Sequence, residues 1–287
     1  MISTSFEYSR ATSLDDALEK LLAAKGEGKL LAGGHSLVPL MKLRLSEPTL
    51  LIDIARVPEL RGIRTRGDMI EIGAGTVHHE VATSALLQQE CPMMAEAAAA
   101  IGDPQVRNRG TLGGSLAHAD PSADYPAAML ALDAEIHLKG PKGSRIVKAH
   151  DFFVGLFTVD LAADEIIVAV QFKPVKSAAY AKLYQRASHF AIVGVAAALD
   201  VTDGKVKGAR IGLTGASSHA TRLRNVEAAL AGKPASMPKL EGAALLAGVG
   251  LADLNSDIHA SEDYRRAMIP VFAERALAAA LARAGVA

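Results

Sequence analysis

The sequence reads LAGGHSL over residues 31–37, where a pair of glycines directly follows a short apolar run. A second stretch, LGGSL over residues 112–116, also places a serine and a leucine soon after a glycine pair. Paired glycines reach positive φ and let a ligand approach the backbone with no Cβ in the way. Successive backbone N–H groups in such turns form concavities that bind anions. Together the two stretches predict a clamp that holds a diphosphate through main-chain donors.

A plain tight turn is the other interpretation of each glycine pair, and it requires no ligand. The second pair lies within residues 102–125, which are rich in Gly, Pro, Asp and Asn. A connection of that length without secondary structure is unusual in a compact domain and is often functional. We therefore favour a ligand site when both pairs are considered together.

Two common phosphate-binding motifs are absent from the sequence. No Gly-x-Gly-x-x-Gly opens a helix after a predicted strand, and no Gly-x-x-x-x-Gly-Lys-Ser/Thr occurs. These absences argue against a Rossmann dehydrogenase and against a P-loop NTPase.

The composition is that of a folded protein with no charge bias. The chain has 287 residues, of which 50% are hydrophobic and 22% charged, so sizeable cores are expected. That length suggests about two domains, at roughly 150 residues each. Basic and acidic residues balance at 31 each, and aromatic residues make up only 4%. We therefore expect no nucleic acid partner, because neither a basic field nor a stacking platform is evident.

The single cysteine, Cys91, limits the chemistry that this chain can perform alone. It excludes an internal disulfide and any cysteine-ligated iron–sulfur or zinc site built from this chain only. Because Cys91 precedes Pro92 between two predicted helices, we expect it to be a small buried hydrophobe. The N-terminus shows no secretory signal, and no apolar run approaches the roughly 20 residues of a membrane span. We expect a cytoplasmic protein with no membrane span.

Helical and strand patterns alternate through the first part of the chain. Ser13 is predicted to cap a helix that ends at Gly26. With short strands over 30–32 and 50–54, residues 1–55 predict a small β-α-β-β unit. Residues that follow predict a hairpin over 62–73, helices near 79–89 and 93–101, and strands over 134–138, 144–148 and 166–172.

The pattern changes after Pro174. Strands over 191–201 and 206–213 flank TDGK, the strongest hairpin signal in the chain. Predicted helices follow near 225–230, 240–249 and 261–284, and Pro270 is expected to kink the last one or to mark its start. The fold class is therefore predicted to be α+β, with segments 1–56, 57–175 and 176–287.

Two longer runs carry a resemblance to a known family: LAGGHSLVPLMKLRL over 31–45 and VRNRGTLGGSLAHADPSAD over 106–124. They resemble the two FAD loops of the medium subunits of molybdenum hydroxylases, the family of carbon monoxide dehydrogenase and xanthine dehydrogenase flavoproteins. The chain length and the region around residues 264–266 also fit. The resemblance implies a PCMH-type FAD-binding domain of two α/β subdomains, followed by a C-terminal α+β domain with an antiparallel sheet and helices.

The resemblance also implies FAD contacts in both loops and at four further positions. The FAD pyrophosphate would bind to Ala32, Gly33, Gly34, His35 and Ser36 in the first loop and to Thr111, Leu112, Gly113, Gly114 and Ser115 in the second. Asp124 would bind the adenosine portion, and Lys182 would lie beside the isoalloxazine ring. Leu116 and Leu161 match apolar positions near the flavin. We assign no catalytic residue and no metal ligand to this chain.

Partners are implied by the same resemblance. In this family a molybdenum subunit oxidises the substrate, and two [2Fe–2S] clusters on another subunit relay the electrons to FAD. We therefore expect an iron–sulfur small subunit and a large subunit with molybdopterin, arranged as a dimer of heterotrimers. The electrons would pass to a quinone, oxygen or another acceptor. A medium chain like that of carbon monoxide dehydrogenase is the leading hypothesis, and N-heteroaromatic or aldehyde hydroxylases are alternatives.

Two functions of other classes stay open. A stand-alone flavin oxidoreductase of the same broad fold is disfavoured because no acid–base pair for substrate chemistry is evident. A scaffold subunit that has lost FAD is disfavoured because both glycine pairs are intact, and close ligand approach is the only evident reason for them.

The adjacent histidines His78 and His79 raise the hypothesis of a metal pair. Neighbouring residues on a regular helix point about 100° apart, so the two side chains cannot share one ion. We therefore expect a solvated helix start at this position.

Four residues around the second loop have both a functional and a structural interpretation. His118 and Asp120 could contact flavin or a partner, or could hold the loop through hydrogen bonds. Arg107 and Arg109 could offset the diphosphate charge, or could simply be exposed. The family often has an acidic residue after Arg186, where this chain has Ser-His-Phe at 188–190.

Overall fold

The computed structural model of the protein describes residues 2–285. Sheets of three, five and four strands follow one another along this part of the chain, with an additional two-stranded ribbon. The α+β prediction is confirmed. We keep 1–56, 57–175 and 176–287 as proposed segments, each of which holds one of the three larger sheets.

The first sheet is parallel and has the strand order β1-β3-β2. Its strands and helices are β1 (Glu7–Arg10), α1 (Leu14–Ala23), β2 (Gly28–Leu31), α2 (Leu37–Lys42) and β3 (Leu50–Asp53). The predicted cap of α1 is confirmed, because the Ser13 hydroxyl accepts a hydrogen bond from the Asp16 N–H at 3.1 Å. The unit is β-α-β-α-β rather than β-α-β-β. The sequence did not reveal α2 because it is only six residues long and contains Pro39.

The second sheet is antiparallel, with the strand order β4-β5-β10-β6-β7. Its strands are β4 (Ile63–Arg66), β5 (Met69–Gly73), β6 (Glu135–Gly140), β7 (Gly143–Lys148) and β10 (Ile166–Phe172), and β8 (Phe153–Gly155) pairs with β9 (Thr158–Val159) as the ribbon. The predicted hairpin between β4 and β5 is confirmed. A short 3-10 helix at Pro58–Leu60 precedes this sheet.

Short helices fill the connection between β5 and β6. They are α3 (His78–Thr83), α4 (Ala85–Glu90), α5 (Pro92–Ala99), α6 (Pro104–Arg107), α7 (Leu112–His118) and α8 (Tyr125–Ala131), and α9 (Ala149–Phe152) follows β7. The helix predicted over 79–89 is interrupted at Ser84, whose hydroxyl caps α4. The polar stretch 102–125 is not structureless, because it contains α6 and α7.

The third sheet is antiparallel, and its strands follow chain order: β11 (Ala178–Tyr184), β12 (Ala191–Thr202), β13 (Lys205–Thr214) and β14 (Thr221–Arg222). The predicted turn between β12 and β13 is confirmed, with Asp203 and Gly204 at φ +52° and +69°, as a tight hairpin turn requires. The helices of this region are α10 (Arg224–Leu230), α11 (Met237–Ala244) and α12 (Glu262–Arg283). Helix α12 begins at Glu262 and continues through Pro270, so Pro270 does not mark its start.

The buried apolar side chains form three clusters, one for each larger sheet. The central cluster also contains Ala178, Ala196 and Ala198 from the third sheet. Helix α8 lies directly on that sheet, since a Cβ on Gly212 would be 2.1 Å from the Ala127 carbonyl oxygen. The third sheet therefore completes the core around the second glycine loop. Within residues 2–285, no helix combines the length and the apolar character needed to span a membrane.

Candidate functional site

The two glycine loops lie in direct contact. The first loop, residues 32–36, connects β2 to α2, and the second runs from residue 110 into the first turn of α7. A Cβ on Gly33 would be 2.3 Å from the Arg109 carbonyl oxygen and 2.6 Å from the Gly110 Cα. Backbone atoms cannot yield at such distances, so only glycine fits at position 33. The fold thus brings together the two motifs that the sequence predicts to act together.

The first loop presents backbone donors. Within residues 2–285, no backbone N–H from Gly33 to Leu37 donates to a protein acceptor. The Gly34 and Ser36 carbonyl oxygens are occupied, because they accept from Val38 and Leu40 at 3.0 and 3.1 Å. Gly34 has φ +75°, a conformation that favours glycine. The loop therefore has free N–H groups of the kind that form an anion-binding concavity.

Residues 112–115 of the second loop use their backbone donors within the protein. The N–H groups of Leu112 and Gly113 donate to the Thr76 and Ala74 carbonyl oxygens at 3.0 and 2.8 Å. Gly114 and Ser115 donate to the Thr111 hydroxyl and carbonyl oxygens at 3.1 and 3.0 Å. The prediction of main-chain donors from both loops therefore does not hold for residues 112–115.

The two glycines of the second loop lie in different environments. A Cβ on Gly113 would be 2.5 Å from the Ala74 Cβ and 2.9 Å from the Ala74 carbonyl oxygen. Gly113 is buried, and close packing explains it. Gly114 is exposed, and a Cβ there would approach only the Thr111 hydroxyl, at 2.9 Å. Gly114 therefore leaves an open surface on the second loop, where a ligand can lie against the backbone.

His78 lies beneath the second loop, and the expected solvated helix start is wrong for it. Its side chain is buried, whereas His79 is exposed. The His78 N–H donates to the Gly110 carbonyl oxygen at 2.9 Å, and its Nδ1 lies 3.1 Å from the Tyr125 hydroxyl. Burial lowers the pKa of His78 to about 4. No local pattern distinguishes His78 from His79, so sequence reasoning missed this residue.

Asp124 and Lys182 form a buried ion pair, with the Lys182 Nζ 2.8 Å from an Asp124 carboxylate oxygen. The Tyr180 hydroxyl donates to the same oxygen at 2.6 Å. Burial raises the pKa of Asp124, and the nearby Lys182 opposes that shift. Lys182 also donates to the carbonyl oxygens of Ala100 and His189 at 2.8 and 2.7 Å. Its three ammonium N–H groups therefore each have a protein acceptor.

The resemblance implies separate roles for Asp124 and Lys182, and the structure places the two side chains in direct contact. The adenosine and isoalloxazine portions are the two ends of FAD, and side chains in direct contact cannot serve both ends. If both residues bind FAD, they bind the same part of it.

Two apolar residues implied near the flavin lie in different environments. Leu116 is fully buried, and its side chain packs in the central cluster. Its place near the flavin stays a prediction. Leu161 is half-buried at the edge of the same cluster, just after β9.

The polar residues around the second loop hold its shape. An Asp120 carboxylate oxygen accepts from the Ser122 N–H at 2.8 Å, and Arg107 donates to the Ile101 and Gly102 carbonyl oxygens at 2.9 and 2.7 Å. The loop-holding interpretation of Asp120 is confirmed. Arg109 is exposed. The His118 ring lies 5.2 Å from the ring of Phe157 at the tip of the ribbon.

His189 lies in the segment after Arg186 and is bound to Lys182 through its backbone. It has φ +60°, and its ring lies 5.4 Å from that of Tyr184. Its carbonyl oxygen accepts from Lys182, so the turn at 185–190 is fixed to the buried ion pair.

These features together fit a dinucleotide cofactor. The first loop supplies free N–H groups for a diphosphate, and Gly114 keeps the adjoining surface clear of side-chain atoms. Both observations concern the residues that the sequence predicts to hold a diphosphate. The first loop offers backbone donors, and the second offers an open surface.

Comparison with known proteins identifies two family models along the chain. Residues 4–174 match the FAD binding domain in molybdopterin dehydrogenase, and residues 178–280 match the CO dehydrogenase flavoprotein C-terminal domain.

Individual relatives match over almost the whole chain. The carbon monoxide dehydrogenase medium chain of Hydrogenophaga pseudoflava is 40% identical over 286 residues, which cover 99% of each chain. The 6-hydroxypseudooxynicotine dehydrogenase complex subunit alpha of Paenarthrobacter nicotinovorans is 40% identical, covering 98% of this chain and 96% of that one. A solved structure of the carbon monoxide dehydrogenase from H. pseudoflava superposes with a TM-score of 0.94 at 41% identity, covering 99% of both chains.

Proposed function

The chain belongs to the family of FAD-binding medium subunits of molybdenum hydroxylases, and from this premise we propose that it passes electrons from [2Fe–2S] clusters on a partner subunit to an external acceptor. It is an FAD-dependent oxidoreductase subunit. The observation that carries the proposal is the pair of adjoining loops, one with free backbone N–H groups and the other with an exposed glycine. When bound, FAD supplies redox chemistry that the side chains of this protein cannot perform.

The first loop is the proposed holder of the diphosphate. Ala32 to Ser36 would surround it, and the N–H groups from Gly33 onward would donate to its oxygens. The second loop, Thr111 to Ser115, would form the opposite wall, with Gly114 nearest to the ligand. The resemblance assigns Asp124 to the adenosine portion and Lys182 to the isoalloxazine ring, and because the two side chains are in contact we propose that they bind the same part of the cofactor. We keep Leu116 and Leu161 as proposed contacts near the flavin.

The proposed partners are an iron–sulfur small subunit and a molybdenum large subunit, in a dimer of heterotrimers. Cys91 supports this division, because it is buried and burial raises the pKa of its thiol to about 12. A thiol in that environment is a poor metal ligand, since the thiolate is the ligating form. The clusters therefore require cysteines from another chain. A quinone, oxygen or another acceptor would then take the electrons from the flavin.

Carbon monoxide is the first substrate that we propose for the assembled enzyme. An N-heterocyclic compound is the second, because relatives named for carbon monoxide and for 6-hydroxypseudooxynicotine are each 40% identical to this chain. We place the choice of substrate on the large subunit.

A scaffold subunit without FAD stays disfavoured, but for a different reason from the intact glycine pairs. Intact glycines alone do not argue for a ligand, because packing against neighbouring backbone explains Gly33 and Gly113. The stronger argument is the first loop, whose N–H groups from Gly33 to Leu37 have no acceptor in the described part of the chain.

Reconstitution with FAD tests the proposal. The purified chain is incubated with FAD, desalted and examined by visible spectroscopy, and we expect flavin absorption in a stoichiometric amount. Absence of flavin would overturn the proposal. Co-purification with an iron–sulfur and a molybdenum subunit supports the electron-transfer role, whereas reduction of the flavin by substrate in the isolated chain would favour a stand-alone oxidoreductase.

A further inference from the structure

A histidine and a tyrosine form a buried pair beneath the second glycine loop. His78 is 5% exposed and Tyr125 is 0% exposed, and the His78 Nδ1 lies 3.1 Å from the Tyr125 hydroxyl. Their ring centroids are 5.3 Å apart, with an angle of 58° between the planes. The proposed function gives neither side chain a role.

The hydrogen bond between them fixes which His78 nitrogen carries the proton. Within residues 2–285, the Tyr125 hydroxyl has no other hydrogen-bond partner. A buried hydroxyl without an acceptor is costly, so Tyr125 donates and Nδ1 accepts. The proton of the neutral imidazole is then on Nε2. Burial supports the neutral forms, since it lowers the pKa of His78 to about 4 and raises that of Tyr125 well above its usual value.

The Nε2 side of the His78 ring lies against the second loop. A Cβ on Gly110 would be 2.6 Å from Nε2 and 2.9 Å from Cδ2, so the ring occupies the space beside the Gly110 Cα. The same Cα lies where the first loop packs, at 2.6 Å from the position of a Cβ on Gly33. Tyr125, His78, Gly110 and Gly33 therefore follow one another in contact.

These contacts link both glycine loops to the residue next to Asp124. Gly33 belongs to the first loop, Gly110 begins the second, and Tyr125 directly follows Asp124. A change in the orientation of the His78 ring would therefore alter the separation of the two loops.

We propose that His78 is a positioning residue for the FAD site, whose ring, oriented by Tyr125, sets the spacing between the two glycine loops. The proposal rests on the proposed FAD-binding function. His78 acts through Gly110 and does not need to contact the cofactor.

Three variants of the full chain test the role. His78→Leu removes both ring nitrogens, His78→Gln keeps an N–H near the position of Nε2, and Tyr125→Phe removes only the hydroxyl that orients the ring. His79→Leu is the matched control, because His79 is the exposed neighbour on the same helix. For each variant, the FAD dissociation constant is measured by fluorescence titration and the thermal midpoint is measured without FAD.

We expect His78→Leu and Tyr125→Phe each to raise the FAD dissociation constant at least about tenfold. A change of that size corresponds to the loss of roughly one hydrogen bond. His78→Gln should recover affinity to within about threefold of the unmodified chain, and His79→Leu should leave it unchanged. Should His78→Leu fail to fold, Tyr125→Phe and His78→Gln decide the question. The ring ¹⁵N shifts of His78 should show an unprotonated Nδ1 and a protonated Nε2, and Tyr125→Phe should abolish that preference.

The outcomes separate this proposal from the function on which it rests. If the unmodified chain does not bind FAD, the proposed function fails. If it binds FAD and the Tyr125→Phe and His78→Leu variants bind equally well, only the positioning role fails. A purely structural role would be shown by a Tyr125→Phe variant that loses thermal stability but keeps the FAD affinity and the ¹⁵N pattern, and this result would also overturn the proposal.

Discussion

The first and second glycine loops share a glycine pair followed by a serine and a leucine, yet their backbones are used in opposite ways. In the described chain, the N–H groups from Gly33 to Leu37 have no protein acceptor, whereas those of residues 112–115 all have one. Gly34 has a positive φ, while the second pair lies in the first turn of α7. The same short motif can therefore offer donors to a ligand in one loop and allow close packing in the other.

The largest effect on this comparison is expected from Gly33→Val. The new side chain would meet the backbone of Arg109 and Gly110 and separate the loops, so FAD binding should be lost. The free energy of unfolding should fall by about 3 kcal/mol, the upper end for an overpacked site. Urea unfolding and FAD titration measure the two effects.

Gly242→Ala is the control for Gly33→Val. Gly242 lies in α11 with nothing within 4 Å of a Cβ, so alanine should raise stability by up to about 1 kcal/mol. Retained FAD binding in Gly33→Val would contradict the contact between the loops.

A pH titration should show that the second loop, unlike the first, rests on a buried neutral histidine. The pKa of His78 is about 4 in the folded state and 6.5 when unperturbed, so the unfolded state binds more protons between these values. The stabilisation that depends on a neutral His78 is fully present above pH 6.5. It is lost as the pH falls towards 4, because each pKa unit corresponds to about 1.4 kcal/mol and the whole shift to about 3 kcal/mol. Unfolding free energies are measured at several pH values for the unmodified chain and for His78→Gln. Parallel curves would show that His78 has the same pKa in the folded and unfolded states, and would contradict its burial as a neutral group.

The two glycines of the second loop should separate stability from binding. Gly113→Ala places a methyl group against Ala74 and should lower the free energy of unfolding by about 2 kcal/mol. Gly114→Ala should change it by less than about 1 kcal/mol, because the position is exposed in α7. The FAD dissociation constant should nevertheless rise in Gly114→Ala, since the methyl group occupies the surface assigned to the cofactor. Unchanged FAD affinity in that variant would remove Gly114 from the site.

The smallest effect is expected at the hydroxyls that follow or precede the glycine pairs. Thr111→Ala removes the cap on Gly114 and should lower the free energy of unfolding by about 1 kcal/mol, while Thr111→Ser should restore it. Ser36 makes no side-chain cap bond, so Ser36→Ala should change stability by less than about 0.5 kcal/mol. Equal losses in the Thr111→Ala and Ser36→Ala variants would contradict the difference between the loops.

The sequence predicts correctly those structural elements that depend only on neighbouring residues. The turn at Asp203 and Gly204 and the cap at Ser13 each depend on a few neighbouring residues, and both are confirmed. Helices α2, α6 and α7 are too short to show a period, so the sequence does not predict them. For α7, tertiary hydrogen bonds such as that from the Gly113 N–H to the Ala74 carbonyl oxygen also hold the first turn.

The candidate site was predictable as a pair of motifs but not as a set of contacts. Family resemblance marks both loops, yet it cannot show that Ala74 and Thr76 satisfy the second loop's N–H groups. Asp124 and Lys182 are distant in the chain and meet only because β11 lies beside the segment before α8. The buried state of His78 likewise depends on Tyr125, which belongs to a different helix.

The contact between α8 and the third sheet has a consequence for biosynthesis. Gly212 lies against Ala127, and Lys182 ties down Asp124, so the region around the second loop needs strands that are translated after it. Domains generally fold as units while the chain emerges from the ribosome. We expect the FAD site to mature only after β13 has been made, so the cofactor enters a nearly finished chain rather than guiding its earliest folding.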